Sequence, residues 1–284
     1  MTNQNPNLKI KMIDDALFQA DLGFNLLYLP QAELDAQAEL RPILMLLASQ
    51  QFDEALTQIQ ALIKTNPTRA GAYYYRAYIH FNRKRLRLCL QDCNRAIEWN
   101  AQFIGAYIFR GLVLLMQRKL RLALADFELI LSLNPASPEG YMGRGMALYL
   151  LGQYERRIHR FGTFIDYRYG WHELNHAIAD FEYLLQMDVA KHELELAVIY
   201  HRLAHAYFAQ RNPEKALHYM DEAIRHNPQM ANYFRDRGYM LLTVGQQERA
   251  LADFDYALHL KPNDRLLKLQ AERLRRQSNK KNGL

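Results

Sequence analysis

Four short phrases decide how this chain folds: Lys64-Thr65-Asn66-Pro67, Ser132-Leu133-Asn134-Pro135, Arg225-His226-Asn227-Pro228 and His259-Leu260-Lys261-Pro262. Each closes an apolar helical pattern. Proline cannot continue a helix and pushes the residue before it toward extended backbone, so Asn-Pro belongs just past a helix end. The interval from Pro67 to Pro135 is twice that from Pro228 to Pro262, so the shorter interval is the unit. Between Pro67 and Pro135 the missing punctuation falls on Ala101, in Glu98-Trp99-Asn100-Ala101. A fixed period of about 34 residues signals a repeat architecture.

Composition points the same way. Leu and Ala together make up 77 of the 284 residues, against 10 of Val and Thr, a balance that suits helices rather than half-buried strands. Half of the residues are hydrophobic and 23% are charged, so a packed core is expected and wholesale disorder is excluded. Met1 to Asp21 lacks the apolar core and cleavage site of a secretory signal, and no uncharged apolar run approaches the ~18 residues of a membrane span. The only cysteines, Cys89 and Cys93, lie four apart on one helical face. Two thiols do not make a disulfide scaffold and fit a reducing compartment. The expectation is a soluble cytoplasmic all-α protein.

Cutting the chain at that period gives units 36–69, 70–103, 104–137, a long fourth at 138–196, then 197–230 and 231–264. An aromatic opens the first helix of the later units at Tyr73, Tyr107, Tyr141, Tyr200 and Phe234, and a small residue follows four places on at Ala77, Gly111, Gly145, Ala204 and Gly238. In the second helix the small position is Ala55, Cys89, Ala123, Ala216 and Ala250, followed by Ile59, Cys93, Phe127, Met220 and Phe254. Bulky side chains meeting Ala or Gly at fixed offsets let helix axes approach closely.

On these positions the chain resembles the tetratricopeptide repeat family, over residues 36–264. The resemblance implies a right-handed helical-repeat solenoid of about six helix-turn-helix pairs with terminal capping helices. Unit one departs from the pattern: Glu39 stands in the aromatic position, and Pro42 falls inside the expected first helix, where it should cause a kink. Residues 1–35 read as a polar tail and a capping helix over 12–29. Residues 265–284 read as a final helix, marked by Leu266, Leu267, Leu269, Ala271 and Leu274, with a basic tail. In unit four a turn is expected at Gly152-Gln153-Tyr154. Its second helix fits either Ile158, Phe161 and Phe164 or, after a 20-residue insertion, His172 to Met187 with Ala177 and Phe181 at the packing places.

Candidate chemistry is sparse. His172-Glu173-Leu174-Asn175-His176 matches H-E-x-x-H, in which His172 and His176 would hold zinc and Glu173 would activate water. With ten histidines and thirty acidic residues the string arises by chance on the order of a few times per hundred sequences, and it coincides with the start of a repeat helix. Its third ligand could only be Glu193 or Glu195. His201 and His205, another pair one turn apart, have no carboxylate at suitable spacing and read as polar lining. No phosphate-binding loop or nucleophile elbow occurs, and nothing in the sequence points to a cofactor.

Charge is uneven. The turn within unit two reads Arg83-Lys84-Arg85-Leu86-Arg87 and that of unit three Arg118-Lys119-Leu120-Arg121. Equivalent positions stack side by side in a repeat array, so Lys84, Arg85, Arg87, Arg118, Lys119 and Arg121 should form a basic ridge for an acidic partner or anionic surface. The cations are not interleaved with aromatics along a continuous path, which argues against nucleic acid.

The resemblance also implies a concave groove lined chiefly by the second, fifth, ninth and twelfth residues of each unit. Here the fifth, ninth and twelfth are Tyr74, Tyr78 and Phe81; Ile108, Leu112 and Leu115; Met142, Met146 and Tyr149; in unit five His201, His205 and Phe208; and in unit six Arg235, Tyr239 and Leu242. Relatives that clamp a C-terminal carboxylate carry Lys, Asn and Arg at such places. This chain carries apolar and aromatic residues, suited to an apolar peptide or amphipathic helix. The sequence therefore points to a non-enzymatic scaffold, adaptor or chaperone-like module that binds another protein. The alternatives are self-association through the same surface, giving a homo-oligomer, and a zinc-dependent hydrolase at 172–176.

Overall fold

The computed structural model describes residues 40–159, 170–187 and 196–281, which form thirteen α-helices and, among the described residues, no strand. They fall into two compact units divided after Tyr154. The first holds α1 (Arg41–Ala48), α2 (Phe52–Thr65), α3 (Ala70–Asn82), α4 (Leu86–Trp99), α5 (Ile104–Met116), α6 (Leu120–Leu133) and most of α7 (Pro138–His159). The second holds α8 (Trp171–Gln186), α9 (Leu196–Ala209), α10 (Pro213–His226), α11 (Ala231–Thr243), α12 (Gln247–Leu260) and α13 (Arg265–Lys281).

Second helices stop at Asn66, Asn100, Asn134 and Asn227, whose φ values of −135°, −145°, −139° and −144° are extended. The Asn side chain then serves the chain beyond it: Oδ1 of Asn100 accepts from the backbone N–H of Gln102 at 3.0 Å, and Oδ1 of Asn134 from that of Ala136 at 3.2 Å. The cap thus resides in the Asn, which is why Ala101 can replace proline without extending α4.

Five described turns inside helix pairs each contain one left-handed residue: Gln50 (φ 58°), Lys84 (57°), Arg118 (58°), Arg211 (61°) and Gly245 (79°), all at one repeat position. Arg85 N–H donates to the His80 carbonyl at 2.8 Å and Lys84 N–H to the Phe81 carbonyl at 2.9 Å, the paired bonds of a Schellman turn. The same two bonds recur at Lys119 and Arg118. Only Gly245 meets the preference of that backbone region, and a Cβ there would touch nothing within 4 Å. The others carry a side chain at a position that costs about 1–2 kcal/mol relative to right-handed backbone.

The packing columns lie where the period puts them. Ala55, Cys89, Ala123, Ala216 and Ala250 are fully buried, as are Ile59, Cys93, Phe127, Met220 and Phe254. Cys89 and Cys93 are free thiols in this core, and burial pushes the Cys93 thiol well up. Phe127 fills the spaces left by Gly111 and Gly143, and Phe254 that left by Gly238. Opening aromatics tie back to the preceding turn, with Tyr73 Oη donating to the Pro67 carbonyl at 2.9 Å and Tyr107 Oη to the Ala101 carbonyl at 3.1 Å.

The packed helices build a recurring ion pair whose two members belong to different helices. Arg76, Arg110 and Arg237 each donate through Nε and Nη2 to an aspartate 16 residues on, Asp92, Asp126 and Asp253, at 2.6–2.9 Å. Each arginine lies over the aromatic three residues before it, at 5.1–5.6 Å from Tyr73, Tyr107 and Phe234. The pair thereby locks a first helix to its own second helix. Asp92, Asp126 and Asp253 are buried, so a planar bidentate partner is what makes their burial tolerable.

Three local expectations change. Pro42 lies in the first turn of α1, where its missing N–H has no helical partner to lose, so it starts the helix instead of kinking it. Helix α7 continues through Gly152 to His159, in place of the turn expected there. Helix α8 spans the second of the two stretches read as a helix there, with Ala177 and Phe181 buried. In α13, Leu267, Ala271 and Leu274 pack against Phe254 and Ala257, while Leu266 and Leu269 face outward. Glu39, the helix expected over 12–29 and most of the insertion lie outside the described residues.

Candidate functional site

The residues expected to line an open groove are mostly packed. On α3, α5 and α7, Leu112 and Met142 have no exposed surface, and Tyr74, Phe81, Leu115, Met146 and Tyr149 keep less than a tenth of theirs. Tyr78 and Ile108 alone among these nine are half-buried. The Tyr74 ring lies 5.1 Å from Phe103 and 5.3 Å from Phe109, and its edge sits where Gly105 would carry a Cβ. Phe81 and Tyr78 also meet Phe109, at 5.5 and 6.1 Å. These side chains join successive first helices, a packing role beyond that of the small and aromatic columns.

The basic edge of the first unit is built otherwise. Lys84, Arg85, Arg87, Arg118, Lys119 and Arg121 are all exposed. They stand at or just after the left-handed turn of two consecutive helix pairs, so their spacing repeats with the fold. Leu88 and Leu122, the residues following Arg87 and Arg121, are 41% and 58% exposed. Beside this edge, between α2, α3 and α4, a concavity of about 350 Å³ is lined by Leu56, Leu88, Arg76, His80 and Arg85. His80 has Nε2 3.7 Å from Asp92 Oδ2. Burial pushes its pKa down, and this outweighs the upward pull of Asp92, aided by the cations Arg76, Arg85 and Arg83. Arg83 donates to Asp53 of the preceding pair at 2.8 Å.

In the second unit His201 and His205 do not line a polar groove. They are 2% and 1% exposed, and the next helix pair supplies the carboxylate that spacing within their own helix could not reveal. Asp236 of α11, itself 2% exposed, places Oδ2 2.9 Å from Nε2 of His201 and 3.1 Å from Nε2 of His205. The two Nε2 atoms are 3.0 Å apart. Arg235 donates from Nε to the other oxygen, Oδ1, at 3.0 Å. Burial, then the neighbouring His205, pushes the His201 pKa down to about 3. Burial alone would raise Asp236, yet Arg235 and the two histidines outweigh it and hold the carboxylate well below its ordinary range.

The H-E-x-x-H string begins α8. His172 and His176 are exposed with ring centroids 4.3 Å apart, and Glu173 is half-buried. Glu193 and Glu195 lie outside the described residues. Among the described residues, the grouping of three His, Cys, Asp or Glu side chains close enough to share an ion is His201, His205 and Asp236.

The sequence profile of the tetratricopeptide repeat matches residues 44–101, 110–156 and 201–265, more than half of the chain. No curated protein matches it. Among solved structures, the chain is similar to a thermophilic TPR protein of Thermus thermophilus, with 17% identity and a TM-score of 0.58 over 72% of this chain and 98% of that one. It is similar to the APC/C hetero-tetramer Cut9–Hcn1, with 15% identity and a TM-score of 0.67 over 94% of this chain and 45% of that one. It is also similar to YrrB, described as a TPR protein with an unusual peptide-binding site, with 17% identity and a TM-score of 0.50 over 76% and 97%. These likenesses bear on the fold. The repeat period, the helix pairs, the buried small and aromatic columns and the profile match agree: the chain belongs to the tetratricopeptide repeat family.

Proposed function

We propose that the chain is a non-enzymatic protein-interaction scaffold whose first unit receives an acidic partner along its basic edge. The family fold suggests a scaffold for protein–protein contacts, and the edge is an exposed basic surface that recurs on two consecutive helix pairs. The observation that carries the reading is the pair Lys84 and Arg118. Both hold left-handed backbone, where folding alone favours the glycine found at Gly245, and both present a cation to solvent. Cations kept at a conformational cost, flanked by exposed Leu88 and Leu122, suit a partner helix or segment bearing acidic and apolar residues. The free buried thiols Cys89 and Cys93 suit a reducing compartment, consistent with a cytoplasmic setting.

A second reading keeps an apolar peptide on the inner face, entering over Tyr78 and Ile108, the two inner-face residues of the first unit that retain substantial exposure. YrrB, with its unusual peptide-binding site, offers an analogy at the level of fold. His172 and His176 stand exposed at a helix start and, among the described residues, gather no third ligand, so a hydrolase is not put forward. The two readings separate by affinity capture on immobilised protein, comparing a variant with Lys84, Arg85, Lys119 and Arg121 changed to Glu against Tyr78→Glu. Loss of the captured proteins with the first variant alone supports the edge; loss with the second alone transfers the function to the inner face.

A further inference from the structure

The three atoms Nε2 of His201, Nε2 of His205 and Oδ2 of Asp236 form a nearly equilateral triangle with edges of 2.9, 3.0 and 3.1 Å, buried from solvent. Protons cannot satisfy it. An imidazole nitrogen either donates or accepts, and it carries at most one hydrogen. If both nitrogens are protonated, both can donate to the carboxylate, but their hydrogens crowd along the edge between the rings. If only one is protonated, the lone pair of the other faces an anionic oxygen at about hydrogen-bond distance. If neither is, three lone pairs converge. With the carboxylate ionised against Arg235, each of these arrangements leaves at least one repulsive edge in a buried setting, where repulsion is poorly screened.

A cation resolves all three edges together. Donors bound at about 2.1 Å and set roughly 90–110° apart lie about 3.0–3.4 Å from one another, which matches the triangle. Arg235, bonded to Oδ1, orients the carboxylate so that Oδ2 points to the histidines, the outer-shell arrangement that metal-ligating carboxylates use.

We propose that His201, His205 and Asp236 form one face of a buried site for a divalent transition-metal ion, zinc by its donor set, which staples α9 to α11. The histidines come one turn apart from one first helix and the aspartate from the first helix of the next pair. Binding there links consecutive pairs and stabilises the folded chain. Imidazole and carboxylate are borderline and hard donors that suit zinc, while thiol-preferring ions are disfavoured.

The test uses the full chain, stripped with a chelator and titrated with Zn²⁺, with bound metal measured by elemental analysis and folding by thermal melting. The wild type is expected to hold about one zinc per chain and to melt higher with zinc than without. Because His172 and His176 offer a rival site, a variant with both changed to Ala is expected to behave as the wild type. Asp236→Asn, nearly isosteric, is expected to bind at least roughly ten-fold more weakly. Should Asp236→Asn fail to fold, the Co²⁺ absorption bands of the wild type and of the His172/His176 variant decide: bands retained in both support the site, and bands absent from either overturn it. Less than about a tenth of an equivalent in the wild type, loss of binding in the His172/His176 variant, or full binding by folded Asp236→Asn also overturns it.

Discussion

The ring of Phe127 on α6 occupies the space beside Gly143 on α7: a Cβ built on Gly143 would overlap Cε1 of that ring. The same ring closes over Gly111 within its own pair, 2.7 Å from the equivalent point. One aromatic thus fastens a helix pair internally and to its neighbour. Gly143→Ala should therefore destabilise the first unit by about 1–3 kcal/mol through overpacking, and Phe127→Ala by about 3–5 kcal/mol through the cavity it leaves. Denaturant melts of both single variants and of Gly143→Ala with Phe127→Leu check this. In the double variant the smaller side chain makes room for the added methyl group, so its loss should be less than the sum of the two.

The Arg110–Asp126 pair differs in kind from surface pairs such as Arg95–Glu98. Asp126 is 5% exposed and takes both guanidinium nitrogens, whereas both partners of Arg95–Glu98 are mostly exposed. Asp126→Ala leaves a partly buried cation without its acceptors and should cost about 1–3 kcal/mol, whereas Glu98→Ala should cost less than ~0.5 kcal/mol. Chemical denaturation of the two variants separates them.

Much of this frame was legible in sequence because it depends on spacing. The small and aromatic columns recur at the repeat period, and every described member of the second-helix columns is buried where the period puts it. The Arg–Asp pair also recurs at that period, but it joins two helices, so it appears only once their crossing is known. The candidate site was less legible. Position alone does not say whether an inner-face side chain meets solvent or its own chain: Leu112 is fully buried, and Tyr74 packs on Phe109 of the next first helix. His201 and His205 looked isolated because their carboxylate, Asp236, lies 31 residues beyond His205 in another pair.

His80 gives the first unit a pH-dependent component. Its folded pKa is lowered by burial from the ordinary 6.5, so the unfolded chain takes up a proton there first as pH falls. The stability tied to neutral His80 is fully present above 6.5 and declines as pH drops below that value toward the folded pKa. Melting curves of wild type and His80→Gln over this range should converge on acidification, the wild type losing more. Parallel curves would show that His80 does not contribute.

Lys84 and Arg118 can be separated from folding through their backbone. Changing both to Gly relieves left-handed strain of about 1–2 kcal/mol per site but adds flexibility worth about 0.4–1 kcal/mol to the unfolded chain. Melting temperature should therefore stay level or rise, while partner capture weakens. A fall in stability would mean that these side chains serve the fold instead.

The most direct measurement is the affinity of a captured partner for the wild-type chain and for the variant with Lys84, Arg85, Lys119 and Arg121 changed to Glu, each at low and at high ionic strength. Exposed charges act over a screening length of about 8–10 Å near physiological salt, so attraction along the edge should weaken as salt rises. The account predicts at least roughly ten-fold weaker binding by the variant at low salt, a gap that narrows at high salt, and an unchanged melting temperature. Equal affinities at low salt, with both proteins folded, would contradict it.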